Sequence, residues 1–164
     1  MLEDLQGQVA VVTGGARGLG YSMASSLARL GVDVALIDLL DEVDASAARI
    51  AGLGVRSMAP KVDVTSEDAV GAAFEAVTDE LGSPSILINA AGITIWEDSL
   101  DVSKASWNKV IDVNLTGTFL TCQAFGRGCR DAGHGGAIVN VSSMSATIVN
   151  VPQHQVSYHA SKAG

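Results

Sequence analysis

Short apolar runs alternate with longer helical stretches along the whole chain, and this alternation narrows the fold more than any other feature. Val- and Ile-rich runs occupy residues 9–12, 32–37, 55–62, 86–88 and 137–141, each bounded by Gly, Pro, Asn or Asp. Runs of that length read as strands, and continuous apolar character is what parallel strands buried on both faces require. Between them, residues 19–30, 41–51, 66–81 and 103–130 carry apolar side chains at helical spacing. Thr65, with Asp68 three residues on, suits an N-cap and first turn, and Gly82 suits the stop. Strand–helix alternation predicts an α/β fold: a Rossmann-like, doubly wound parallel sheet with right-handed crossovers and helices on both faces.

The 164 residues form one expected unit, 1–164, with no Pro/Ser linker and no low-complexity block. Hydrophobic residues at 48% exclude a disordered chain, and aromatics at 4% leave the core to Val, Ile, Leu and Ala. Ten Lys+Arg against 18 Asp+Glu, a net charge of −8, gives no basic footprint for nucleic acid. Cys122 and Cys129 lie seven apart in a helical stretch, too far to bridge and too few for a four-ligand zinc site. His134, His154 and His159 lack metal-ligand spacing, so no metal is expected. The N-terminus has no signal-peptide pattern, and no apolar run reaches the ~18 residues needed to span a bilayer. A reduced, cytoplasmic protein without a membrane partner is the expectation.

The first chemical motif is Thr13-Gly14-Gly15-Ala16-Arg17-Gly18-Leu19-Gly20, which follows a strand and opens a helix. Glycine there allows a tight turn and close backbone approach to a pyrophosphate, and the helix start adds N–H donors. The spacing is G-x-x-x-G-x-G, not G-x-G-x-x-G; without a ligand it is only a glycine-rich turn. Asp38 ends the second strand, 18 residues after Gly20. A carboxylate there accepts from both ribose hydroxyls of an adenosine and repels a 2′-phosphate, which predicts NAD. Asp63-Val64 ends the third strand, where a side chain can meet the adenine amino group or cap the next helix. Asn89-Ala90-Ala91-Gly92 closes the fourth strand, with small residues that let backbone lie against a planar cofactor.

The last third carries the groups for proton chemistry. Ser142-Ser143 closes the fifth strand, and Tyr158 and Lys162 stand at i and i+4 on one helix face. An ammonium beside a phenol favours phenolate, a credible general base for an alcohol proton. Tyr-x-x-x-Lys alone also arises by chance on exposed helices.

Together these residues resemble the short-chain dehydrogenase/reductase family, in its polyol (sugar-alcohol) dehydrogenase branch. Thr13 to Gly20 is similar to the family's Thr-Gly-x-x-x-Gly-x-Gly. Asn89-Ala-Ala-Gly92 is similar to its Asn-Asn-Ala-Gly, with Ala90 in place of the second Asn. Asn114, in Val113-Asn114-Leu115-Thr116-Gly117, matches the long-helix asparagine that supports a proton-relay water. Ser143, Tyr158 and Lys162 match the remaining catalytic positions. A spacing of thirteen residues before Tyr158 would select Ser145, but the strand end 138–143 places the serine at Ser143, fifteen before. The loop from Ser143 to Gln153 resembles that of the sugar-alcohol branch, with Asn150, Gln153 and Gln155 as expected partners of substrate hydroxyls.

The resemblance implies NAD(H)-dependent interconversion of a small-molecule secondary alcohol and a ketone. It assigns Ser143 to the substrate oxygen and Tyr158 to the proton. Lys162 goes to the ribose and to Tyr158, and Asn114 to the relay water. Gly14, Ala16, Arg17, Gly18, Leu19, Gly20, Asp38, Asp63, Val64, Asn89, Ala90, Ala91 and Gly92 would hold the cofactor, with Tyr158 and Lys162 lying against it. It further implies strand order 3-2-1-4-5 and pairing into homodimers or homotetramers through the long helix. The family's domain runs to roughly 250 residues, within single-domain range. This chain stops at Gly164, so its C-terminal strands are expected to be missing and it is read as a fragment or truncated product. The alternative is a truncated or decayed NAD-binding module without turnover.

Overall fold

The computed structural model describes residues 5–164. Its elements alternate as expected: β1 (Val9–Thr13), α1 (Gly18–Ala28), β2 (Asp33–Ile37), α2 (Glu42–Ala51), β3 (Ser57–Met58), α3 (Glu67–Leu81) and β4 (Ile86–Asn89). Then follow α4 (Lys104–Ile111), a π-helical segment (Asp112–Thr116), α5 (Gly117–Ala132), β5 (Ala137–Asn140), a 3-10 turn (Met144–Ala146) and α6 (Val156–Ala163). All strands pair in parallel in the order β3-β2-β1-β4-β5.

Alternation along β1 shows how both faces are covered. Val9 and Val11 pack with Ala35, Ile37 and Leu87 under Val70, Phe74 and Val77 of α3 and Phe125 of α5. Ala10 and Val12 pack with Val34, Leu36 and Ile88 under Ala24 of α1 and Val43 and Ile50 of α2. Successive side chains of one strand thus feed two opposite cores, which explains its unbroken apolar run.

The register brings the functional loops to one edge. Thr13 at the end of β1 lies level with Ile37 of β2 and Asn89 of β4, and Asn89 lies level with Asn140 of β5. The glycine loop, Asp38, Ala90 and Val141 therefore emerge side by side at the carboxyl ends of the strands, where open α/β sheets bind ligands.

Several boundaries differ from expectation. The third strand has two residues instead of the predicted 55–62, with one further bridge between Asp38 and Lys61. Pro60 has no N–H for the ladder and stands on an edge strand, so pairing breaks there. The cap of α3 is Ser66, whose side chain accepts from Ala69 N, not Thr65. Thr65 is drawn away because its hydroxyl and N–H both donate to Asp63 Oδ1, at 2.8 and 2.9 Å. Gly82 stops α3 with φ +103. The long stretch 103–130 is a continuous helical course, but its middle widens into the π segment. β5 departs most: its expected burial is not met, and Ile138 and Val139 are 44% and 49% exposed. No helix among the described residues is long and apolar enough to cross a membrane.

Candidate functional site

A cleft of about 830 Å³ opens over the carboxyl edge of the sheet. Gly14, Arg17, Leu19 and Gly20 form one wall, Asp38, Asp63 and Val64 a second, and Ala90, Ala91 and Gly92 the third. Most sequence-predicted cofactor residues therefore share one surface.

The glycine loop is fastened on all sides. Gly15 N donates to Ile37 O, and Thr13 Oγ1 accepts from both Ala90 N and Ala91 N at 3.2 Å. Ala16 N donates to Asp38 Oδ2 at 3.0 Å, and Ala16 O accepts from the buried Ser46 hydroxyl. Ser46 in turn accepts from Arg49. Sequence reasoning does not single out Ser46; its one signal is a serine on the apolar face of an amphipathic helix, where burial demands a partner.

The residues fit a dinucleotide on two counts. A Cβ on Gly14 would stand 2.7 Å from Ala91 N, and one on Gly20 would strike the Gly14 carbonyl, so the floor of the cleft is bare backbone by necessity. The start of α1 has no side-chain cap and no acidic residue in its first turn. Its N–H groups face the loop without an internal competitor for an anion.

Asp38 carries a second duty that the sequence does not show. Besides Ala16 N, its Oδ1 accepts from Leu39 N and Leu40 N at 2.8 and 3.1 Å. The carboxylate thus locks the glycine loop to the end of β2. Three bonds leave room on a carboxylate, which offers about four acceptor positions, for a hydroxyl donor. Asp63 lines the cleft but holds the Asx turn with Thr65. Residues 39–44 contain no cation, yet the fold brings in Lys61, which is ion-paired with Asp41. That pair raises the Lys61 pKa and lowers that of Asp41.

Asn89 turns its side chain away from the cleft. It is buried, its Oδ1 accepts from Thr121 Oγ1 at 2.7 Å, and its Nδ2 donates to Asn140 Oδ1 at 2.9 Å and to Cys122 Sγ. Its side chain ties β4 to α5 and β5 rather than lining the cleft. The two cysteines are free thiols with pKa values raised by burial.

Tyr158 and Lys162 stand together at the other end of the same edge. Lys162 Nζ lies 5.8 Å from the centre of the Tyr158 ring and donates to Val141 O at 2.8 Å. A Cβ on Gly92 would stand 3.7 Å from that nitrogen, which places the ammonium against the cleft. Half-burial lowers the Lys162 pKa from its ordinary value. Asn114 is buried in the π segment, and its amide clamps Ile93 through both N–H and C=O at 2.8 and 2.9 Å. It also donates to Ser161 Oγ at 2.9 Å, so one side chain joins the loop after β4, the long helix and α6.

Ser143 is partly exposed and its Oγ accepts from Ser145 N at 3.1 Å, which leaves the hydroxyl hydrogen free to donate. Ser145 is 4% exposed and its hydroxyl accepts from Asn150 Nδ2 at 2.7 Å. The loop amides expected to meet substrate turn inward: Asn150 to Ser145, and Gln155 to Thr94 and Gln153. Beside them lies a smaller cavity of about 280 Å³, bordered by Ser99, Asn150, Gln153 and His159.

A family model described as short chain dehydrogenase matches residues 8–164. The D-threitol dehydrogenase of Mycolicibacterium smegmatis is 42% identical over 161 residues, 98% of this chain and 61% of that protein. The galactitol 2-dehydrogenase (L-tagatose-forming) of Cereibacter sphaeroides is 40% identical over 158 residues, 96% of this chain and 61% of its own length. The crystal structure of a short-chain type dehydrogenase/reductase from Mycobacterium marinum superposes with a TM-score of 0.95 at 37% identity, covering 99% of this chain and 66% of that one. The chain thus spans about 61% of the length of the two curated relatives it matches.

Proposed function

Because the chain belongs to the short-chain dehydrogenase family, we propose that the full-length protein interconverts a polyol and the corresponding ketose with NAD(H). The observation that carries this reading is the half-buried Lys162 ammonium, set between the Tyr158 ring and the cleft-lining Gly92. It joins a group able to move a proton to a cleft shaped for a dinucleotide.

When bound, the nicotinamide would supply the hydride acceptor or donor. The protein's own groups do the rest. The Tyr158 hydroxyl takes the alcohol proton in oxidation and returns it in reduction. Ser143 donates to the substrate oxygen, since its own acceptor side already meets Ser145 N. Lys162 holds the ribose and favours the phenolate form of Tyr158. Asn114 keeps α6 in place against the loop after β4 and supports a relay water. Asp38 takes the adenosine ribose and disfavours a 2′-phosphate.

Two relatives named for sugar alcohols support the polyol class. The test is NADH formation by the full-length protein with D-threitol or galactitol, against NADP in parallel. Turnover with NAD that Tyr158→Phe abolishes supports the reading. Cofactor binding without oxidation of any polyol or simple secondary alcohol overturns it.

A further inference from the structure

We propose that His159 is a positioning residue that sets the Ser143 hydroxyl for the substrate oxygen by latching the loop between them. The proposal rests on the assignment of Ser143 to that oxygen and extends it to a residue without substrate contact.

The donors and acceptors around the His159 ring admit one protonation pattern. Nδ1 lies 2.8 Å from Gln155 O, and a carbonyl can only accept, so Nδ1 carries the hydrogen. Nε2 receives the Asn150 N–H at 3.1 Å, so Nε2 carries none. The imidazole is therefore neutral, with its tautomer set by the two backbone groups it joins.

From that ring a continuous course of hydrogen bonds runs back to Ser143. The Asn150 backbone donates to His159, and the Asn150 side chain donates to Ser145 Oγ at 2.7 Å. Ser145 N donates to Ser143 Oγ at 3.1 Å. Ser145 is buried, which holds the middle of this course rigid. In this chain Met144, Ile148, Val149 and Val151 around it are exposed, and the hydrogen bonds of this course are what tie the loop to α6. His159 is next to Tyr158 on α6. One helix thus carries the proton-moving group and, through its neighbour, sets the oxygen-holding one.

A misplaced catalytic group costs on the order of 10²-fold in rate. In the full-length protein, His159→Phe keeps the ring volume and removes the acceptor. It should lower kcat on that order while leaving NAD affinity unchanged. His159→Gln returns an acceptor near the Nε2 position and should recover most of the rate. His159→Phe combined with Asn150→Ala should be no slower than the slower single variant, because both break one course. Two readouts need no substrate. The histidine ¹⁵N spectrum of the unliganded protein should show the Nδ1–H form, and hydrogen exchange at the Asn150 amide should speed up in His159→Phe but not in His159→Gln. A wild-type kcat for His159→Phe, equal loss in the Gln and Phe variants, or an Nε2–H tautomer overturns the latch. A wild type inactive on every alcohol overturns the enzyme reading instead, and the exchange and tautomer data still decide the latch.

Discussion

Three glycines of the nucleotide loop are required for three separable reasons, and alanine substitution should tell them apart. Gly18 has φ +61 and nothing within 4 Å of the position a Cβ would take, so alanine there meets only the left-handed backbone penalty. That penalty is about 1–2 kcal/mol, or roughly 2–8 °C in Tm at this chain length. Gly20 shows no left-handed φ, but its Cβ would strike the Gly14 carbonyl oxygen and lie 2.8 Å from the Gly14 carbonyl carbon. Both atoms are backbone, so the loop itself must shift. Overpacking of that kind costs about 1–3 kcal/mol, and a rigid backbone neighbour puts it at the upper end. Alanine inside a helix would otherwise gain up to about 1 kcal/mol over glycine, so any net loss at Gly20 reports the contact. Gly14 combines both faults, with φ +68 and a Cβ 2.7 Å from Ala91 N and 2.8 Å from Ala90 O. Its alanine variant should lose about 2–5 kcal/mol, the sum of the two effects. Thermal and denaturant unfolding of the full-length protein should rank the losses as Gly14→Ala, then Gly20→Ala, then Gly18→Ala. The Gly14/Gly20 double variant should not be additive, since one contact sets Gly14 against Ala90 and Ala91 and the other sets Gly20 against Gly14, so both act on the Gly14 backbone. A Gly20→Ala protein as stable as wild type would refute the reasoning, because the close approach it rests on would not exist.

The other predictions concern the site itself. Asp38→Ser should narrow the preference for NAD over NADP, and adding Asp41→Ala should narrow it further by freeing Lys61 from its ion pair; titration of both cofactors decides, and equal NADP binding by wild type contradicts the assignment. Tyr158→Phe should reduce turnover by about 10²–10⁴-fold with NAD affinity kept, as loss of a general acid–base group does. Ser143→Ala should cut kcat severely, whereas Ser145→Ala, which keeps the backbone N–H on Ser143 but breaks the link to Asn150, should cut it less, to about the level of His159→Phe. Lys162→Met should weaken NAD binding yet melt no lower than wild type at neutral pH, because burial disfavours the ammonium and lowers its pKa. The unfolded state binds the proton more tightly here, so the gain is full below the lowered folded value and fades as pH rises toward the ordinary 10.5. Calorimetric scans across that range would reveal an opposite slope.

Strand order and the placement of the glycine loop are legible in the sequence because they depend on local pattern and on the handedness of crossovers. Features that depend on partners distant in sequence are not. Asn89 sits in a strand-end motif beside the cleft, but whether its amide turns toward a ligand or inward depends on Thr121 and Asn140, 32 and 51 residues away. Lys61 is hidden for the same reason: it reaches Asp41 only because β3 pairs beside β2. Thr65 and Ser66 are equally good caps by type, and Asp63, by engaging Thr65, decides between them. The third strand is overread when apolar content is weighed above the missing N–H of Pro60.

Asn114 shows how a local misfit in the sequence becomes sense in the fold. Asparagine is a poor residue for a helix interior, because its side chain competes for backbone hydrogen bonds. Here it sits in the middle of a helical course that runs from Lys104 to Ala132, where the backbone widens from α to π geometry. Nothing local demands the widening: the segment Asp112–Thr116 has no proline. Three partners outside the helix account for the choice of residue. The Asn114 amide meets the N–H and C=O of Ile93 and the hydroxyl of Ser161, so its donor and acceptor atoms are engaged inside the protein. Gly117, one residue past the segment, lets the helix approach Val64 so closely that a Cβ would lie 2.7 Å from its Cγ2. The helix is thus drawn toward the cleft at one point and clamped to α6 at another. Single-turn π segments concentrate at functional sites for this reason: they re-aim one side chain without breaking the helix that carries it. The disagreement between propensity and position is therefore a property of the site, and it binds the cofactor cleft to the helix bearing Tyr158 and Lys162.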